Sequence, residues 1–432
     1  MTLELRASDN RVAGVASAQA IEGAVRYINN LLAYQCSYGS NGIVPDPATY
    51  SCAGVAVGEA HFWIIGRDTN TTTTLGISGP KLISFGLIDE GSKLNLNASV
   101  TTSNVLYNLI QLLPNASQDL PGAILDWRST NSSGAYQTFY STQTQPYQNK
   151  AAPFETVDEL RLVYGGDLNT LLGEDLNRNG VLDPNEPDQN HNGIVDPGIL
   201  EYVTIYSKEP NTRTNGEPRI RISTINPTGP IASLLQTAFG STRAEAVMRR
   251  LLSRPTGPLT GAFQCQSPLQ FFRQSQMTVD EFAKIANDIT VTSTNNPYIE
   301  GRININTASA EVLSSLPGLS SDQNLAQTLI TYRQSNPDKL GSIAWIVEAL
   351  GQNNASALTA LQAVDCLTAQ SYQFTADIAA TGPYGRGYRR VRFVFDTSSG
   401  TPKVIYRQDL TGLGWALGKE VRETLRVAQA AK

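Results

Sequence analysis

Apolar residues in the first forty positions fall on one stripe. Val12, Val15, Ile21, Ala24, Ile28, Leu31 and Leu32 recur at helical spacing, which predicts an amphipathic helix from Val12 to Leu32. A loop with Cys36, Gly39, Gly42, Pro45 and Pro47 follows. His61 to Arg67 and Lys81 to Ile88 read as strands around a Thr-rich turn, Asp68 to Thr74. Past Cys366 the period becomes two, over Tyr372–Ile378, Tyr388–Phe395 and Lys403–Tyr406, which predicts an antiparallel meander. Between these ends the pattern is helical. Thr156-Val-Asp-Glu159, Thr242-Arg-Ala-Glu245 and Thr278-Val-Asp-Glu281 read as capping boxes ahead of apolar runs. Strands at both ends with helices between predict an α+β fold, one helix-on-sheet domain split by a large helical insertion. The expected boundaries are 1–92, 93–368 and 369–432.

The insertion contains a repeat. Lys93-Leu-Asn95-Leu-Asn97-Ala-Ser precedes a helical stretch, then Pro114, then Ala123 to Trp127. Arg302-Ile-Asn304-Ile-Asn306-Thr-Ala-Ser precedes Glu311 to Leu316, then Pro317-Gly318, then Ala326 to Arg333, at an offset of 209 residues. The shared order predicts two related helix–turn–helix units.

Charge narrows the function. Only 16% of the 432 residues are charged and the net charge is −5, which argues against a protein that binds nucleic acid by neutralising phosphates. No uncharged apolar run is long enough to span a membrane, and Met1 to Asn10 is not a signal peptide. Two histidines exclude a His-rich site. Cys36 and Cys52, and Cys265 and Cys366, lack the spacing of a redox or zinc motif. Two disulfides are expected, 36–52 with 265–366 being the simplest of three pairings; four free thiols are the alternative.

The acid is concentrated. Asp167 to Glu201 holds eight acids and one base, Arg178. Within it, Asp175-Leu-Asn177-Arg-Asn179-Gly180-Val181-Leu-Asp183-Pro-Asn-Glu186 matches a twelve-residue calcium loop. Ca²⁺ takes six to eight oxygens, and this spacing offers side chains of Asp175, Asn177, Asn179, Asp183 and Glu186 with the Val181 carbonyl. Thirteen residues on, Asp188, Asn190, Asn192, Ile194 and Asp196 repeat the ladder, but its twelfth position is Ile199. Glu201 or a shared Glu186 is the expected substitute. Pro184, Pro187 and Pro197 break the exiting helices, which suits structural calcium and not a sensor. The simpler alternative is an Asx-turn loop that binds nothing.

Other chemistry is weak. Asp89 and Glu90 are neighbours, expected to hydrogen-bond and not to act as a catalytic pair. His61 reads as a packed ring, and His191 stands at a non-ligand position. Leu316-Pro317-Gly318-Leu319-Ser320 resembles a helix-hairpin-helix turn, yet Ser320 replaces the second glycine that a phosphate grip needs. No hydrolase, nucleotide or zinc-protease motif is present, so no enzyme is expected.

Several stretches together resemble the K minor pseudopilin family of the type II secretion system. They are Leu87-Ile-Asp89-Glu90-Gly-Ser-Lys93-Leu-Asn95-Leu-Asn97, Ile124-Leu-Asp126-Trp127-Arg128, Gln145-Pro-Tyr147 through Val163, the calcium ladder, and Ile303-Asn304-Ile-Asn306-Thr-Ala. The resemblance implies a pilin-like fold, with the N-terminal helix packed on an antiparallel sheet and a helical domain inserted. It also implies a place at the pseudopilus tip with the I and J minor pseudopilins, starting assembly and meeting exported proteins. The expected location is the periplasm, on an inner-membrane anchor. Family members carry a leader and an apolar anchor helix that are absent here, so a shortened chain or a soluble paralogue is expected. An extracellular dockerin-like calcium module is the alternative, with a DNA-binding protein third.

Overall fold

The N-terminal helix runs from Leu3 to Ser37, longer at both ends than its apolar stripe predicts. The stripe marks only the part that meets the sheet: Ala20, Ile21, Ala24, Ile28 and Leu32 are buried, while Val12 and Val15 are exposed. The computed structural model describes residues 3–70, 82–114, 116–131 and 134–430.

Among the described residues six strands form the main sheet: β1 (Val55–Val57), β2 (Ala60–Ile65), β3 (Ile88–Asp89), β4 (Gln373–Thr381), β5 (Arg389–Asp396) and β6 (Lys403–Asp409). Their order is β1–β2–β4–β5–β6, with β3 also paired to β4, and every pairing is antiparallel. Ile64 lies opposite Ile378, so the two ends of the chain meet in mid-sheet. The strand expected from Lys81 to Ile88 reduces to β3 and a bridge from Phe85 to Ile65, and Lys81 lies outside the described residues.

All nine positions of β4 are buried, because both faces of the sheet are covered. Phe374, Ala376, Ile378 and Ala380 join Phe62, Ile64, Val391, Phe393 and Phe395 under the N-terminal helix. On the opposite face Ala379 packs with Trp63, Ile65, Ala416 and Leu417. That face also holds charge. Arg390 donates from Nε and Nη2 to Asp377 at 2.7 Å each, and Arg392 donates to Asp377 at 2.8 Å. Glu90 accepts from Thr375 Oγ1 at 2.7 Å and from Thr204 Oγ1, the hydrogen-bonding role expected of it.

Contacts divide the chain into two units, Met1–Glu90 with Ile110–Tyr206 and Gln370–Lys432, and Gly91–Leu109 with Ser207–Ala369. Residues 110–206, calcium ladder included, therefore group with the sheet and not with the insertion as expected. The second unit is mainly helical. Its buried centre is Glu209, which accepts from Arg302 at 3.0 Å and Arg219 at 2.9 Å, while Arg302 also donates to Asp365 at 2.7 Å.

The repeat is visible as one local device used twice. Asn95 Oδ1 accepts from Asn97 N at 2.9 Å, and Asn304 Oδ1 from Asn306 N at 3.0 Å, each an Asx turn ahead of a helix. Arg302 is buried in the Glu209 cluster, and Arg333 donates to the Ile305 and Ala308 carbonyls. Neither is available to a phosphate. Of the three capping boxes, those at Thr156 and Thr278 form. The one at Thr242 does not: the helix begins one residue earlier, at Ser241, and Glu245 pairs with Arg249.

The expected disulfides are corrected: all four cysteines are free thiols. Cys265 and Cys366 are buried, and Cys265 Sγ donates to the Ser267 carbonyl at 3.2 Å. Burial pushes the Cys265 thiol up to about 11 and the Cys366 thiol to about 12. They serve as small apolar groups, a use that an even count and a long spacing do not exclude.

Asp377→Asn tests the buried charge. It leaves two guanidinium groups short of an anion and is expected to cost about 3–5 kcal/mol at neutral pH in urea unfolding. Despite the opposing effect of burial, Arg390 and Arg392 hold the Asp377 carboxyl well below its ordinary range. The stabilisation is thus fully present above the unfolded value near ~3.9 and is lost as pH falls from there toward the folded one. The stability gap between the wild type and Asp377→Asn should narrow below about pH 4, and a constant gap contradicts the assignment.

Candidate metal centre

Asp175 opens the first loop after a short helix, Leu168–Leu172, capped by Asp167. Its two carboxylate oxygens accept from the backbone N–H groups of Asn179 at 2.9 Å and Gly180 at 2.8 Å, which curls the loop into a ring. Gly180 makes the turn with φ +82°, a conformation that side-chain-bearing residues rarely adopt. Asn179 Oδ1 accepts from Val181 N at 2.9 Å. Glu186 closes the ring, accepting from Asn177 N and Asp183 N at 3.0 Å each.

The side chains converge. Asn177 Nδ2 and Asn179 Nδ2 donate to one oxygen, Asp183 Oδ2, at 2.7 and 2.9 Å. Asp175, Asn177, Asn179 and Asp183 are all buried, and Asn177 Oδ1 accepts no hydrogen bond. Burial raises the Asp175 carboxyl above its ordinary range. Glu186 is pushed up to about 7 by burial, with the charges of Asp175 and Asp183 adding to it. Asp175, Asp183, Glu186 and the orphaned Asn177 Oδ1 thus bring hard oxygens together in one loop. The acids alone do not gather closely: among the described residues no group of three or more His, Cys, Asp or Glu is placed to hold a metal ion.

The second loop repeats the device at the surface. Asp188 accepts from Asn192 N at 3.1 Å and Gly193 N at 3.0 Å, and Asn192 Oδ1 accepts from Ile194 N at 2.7 Å. Asn190 and Asn192 both donate to Asp196 Oδ2, at 2.6 and 3.4 Å. Its closing acid is Glu174, which accepts from Gln189 N at 2.6 Å and Asp196 N at 3.0 Å. Glu186 does the same for the first loop. Sequence reasoning missed Glu174 because a calcium loop closes from its C-terminal end, whereas this acid precedes both loops. Glu201, an expected substitute, is instead engaged by Arg67 Nε at 2.6 Å. His191 takes a left-handed turn position, φ +57°, away from any ligand role.

Two arginines from the sheet side fix the first loop through its backbone. Arg390 donates from Nη1 to the Asn177 carbonyl and from Nη2 to the Arg178 carbonyl at 2.8 Å. Arg67, just after β2, donates to the Arg178 carbonyl at 2.9 Å and the Asn179 carbonyl at 3.3 Å. Burial alone would lower Arg67, but the charges of Glu201 and Asp175 more than offset it. Hydrophobic patterning gives no signal for such contacts, since carbonyl acceptors carry no residue identity.

Residues 89–172 and 303–365 each match a family model described as type II secretion system (T2SS), protein K. A chain in the crystal structure of the GspK–GspI–GspJ complex from the enterotoxigenic Escherichia coli type 2 secretion system is similar at 11% identity and TM-score 0.38, covering 91% of this chain and 98% of that one. No curated protein matches the sequence. The two family segments begin at Asp89 and Ile303, the strand residues that lead into the two copies of the repeat, and over these segments the chain is similar to protein K of the type II secretion system.

Proposed function

We propose that this chain is a minor pseudopilin that joins the I and J minor pseudopilins at the tip of the type II secretion pseudopilus and starts its assembly. The observation that carries the reading is the ordered pair of protein K segments, within a chain that packs a long N-terminal helix on an antiparallel sheet. That helix leaves Val12, Val15 and Tyr34 exposed, and beside it lies a groove of about 690 Å³ whose lining includes Ala18, Gly23 and Val391. A partner helix of the same family has apolar surface to cover there. Exported proteins are a further partner class on this reading, with the periplasm as the site of action. Among the described residues no helix is long and apolar enough to cross a membrane. On this reading the role is structural, and the carboxylates of the first loop accept from its own backbone N–H groups.

Mixing the chain with the I and J minor pseudopilins of its own machine is expected to give one ternary species in size-exclusion chromatography with light scattering. Three separate peaks at micromolar concentrations would sink the proposal.

Calcium is part of the same reading. The first loop fits the ion by its donor chemistry and by the buried Asn177 Oδ1 that has no other partner. Asp175, Asn177, Asn179, Asp183 and Glu186 with the Val181 carbonyl would hold one ion. Asp188, Asn190, Asn192, Asp196 and the Ile194 carbonyl, closed by Glu174, would hold a second. The ion supplies positive charge to a segment that otherwise repels itself. A dockerin-like module is disfavoured, since Arg67 and Arg390 tie the first loop to the sheet.

Calcium at a hundred times its Kd should add about 2.7 kcal/mol to stability, seen as a rise in Tm that EDTA reverses. Asp175→Ala with Glu186→Ala should abolish most of that rise, and Glu174→Ala should remove only the share of the second, weaker site. A full calcium response in the double variant rules out the first loop.

A further inference from the structure

The amides of the first loop also touch the end of the chain. Asn177 Nδ2 donates to the Trp415 carbonyl and Asn179 Nδ2 to the Ala416 carbonyl, at 3.3 Å each. Both nitrogens donate more closely to Asp183. The same two side chains thus carry the oxygens of the cation ring and the nitrogens that hold residues 415 and 416.

The segment they hold is one piece. Leu410 N donates to the Arg390 carbonyl at 2.9 Å, and Ala416 and Leu417 are fully buried against Trp63, Ile65 and Ala379. Trp415 packs on Tyr388 with ring centroids 5.1 Å apart, lies under Arg422 at 5.0 Å, and donates from Nε1 to the Gly418 carbonyl at 2.7 Å. The C-terminal helix, Gly418–Ala430, follows, and its Leu425 packs beside Gly385. The loop's amides thus add two hydrogen bonds to a strap that Leu410, Thr411, the Trp415–Tyr388 contact and the cluster around Ala416 and Leu417 also hold to the sheet.

We infer that occupancy of the first loop controls docking of the C-terminal strap, residues 410–425, on the sheet. The inference rests on the calcium reading above. Each Nδ2 carries two hydrogens and donates to Asp183 and to a strap carbonyl together, so the strap bonds depend on how the two amide planes are turned. A cation held by the loop's oxygens would fix those planes. Binding at the loop and docking of the strap then favour each other, and the coupling is reciprocal. Calcium would thereby strengthen the cover on the face of the sheet opposite the N-terminal helix.

Hydrogen exchange read by mass spectrometry on the whole chain, with calcium and after EDTA, tests this. Calcium is expected to slow exchange in peptides spanning 410–425 by about tenfold or more. Equal exchange in a protein whose Tm does rise with calcium overturns the coupling and leaves the calcium reading intact. No bound calcium and no rise in Tm overturns both. Reciprocity supplies a second readout. Trp415→Ala and the milder Leu425→Ala loosen the strap without touching a cation donor, and each should weaken calcium binding by about threefold or more. Unchanged calcium affinity in a variant whose strap exchanges faster overturns the inference.

Discussion

Arg390 is the interaction on which the rest of the first unit depends. Its guanidinium is fully buried in β5, an expensive place for a charge unless every donor is met. Asp377, on the neighbouring strand, meets it from Nε and Nη2. The remaining donors reach past the sheet to the carbonyls of Asn177 and Arg178. One side chain therefore joins two strands and the loop lying on them, and its correct partners are all needed at once. That requirement explains why a loop without an apolar core holds a defined position.

The two faces of the sheet are organised by different physics. Under the N-terminal helix the contact is hydrophobic, and Ala20, Ala24 and Ala376 let helix and strand approach closely. On the other face, Thr375, Asp377 and Ala379 alternate with those residues and meet Glu90, two arginines and the strap. Close packing tolerates volume errors poorly, whereas hydrogen-bonded charge tolerates a missing partner poorly. The first face is thus suited to a permanent contact, and the second to one that responds to charge.

The sequence was legible where the period of side chains coincides with a buried face. The helix stripe from Ile21 to Leu32, β4, β5 and β6 follow from periodicity alone, and both loops follow from alternate Asp and Asn with a glycine in sixth place. The ends of the N-terminal helix were not legible, because its exposed turns carry no apolar signal. Glu174 was not legible either, since loop closure from upstream is a matter of spatial return and not of spacing. The cysteines misled for a related reason: an even count states what is available to bond, not which sulfurs meet. The grouping of residues 110–206 with the sheet depends on Arg67 and Arg390 gripping carbonyls, which no residue type announces.

These long-range arginine contacts also bear on why the acidic segment is shaped as a ladder. Asp167 to Glu201 carries eight acids and one base. Arg67 neutralises Glu201, and Arg390 is already committed to Asp377. Asp175 and Asp183 are buried in the first ring, and each ring gathers amide nitrogens on one carboxylate oxygen, Asp183 in the first and Asp196 in the second. A segment selected only for surface solubility would direct those acids to water, where screening makes their repulsion small. Burying Asp175 and Asp183 instead costs desolvation that backbone N–H groups offset only in part, as the raised carboxyl of Asp175 records. The divalent cation proposed above would meet that charge, and the most self-repelling stretch of the chain would then serve as a brace between the sheet and its C-terminal strap.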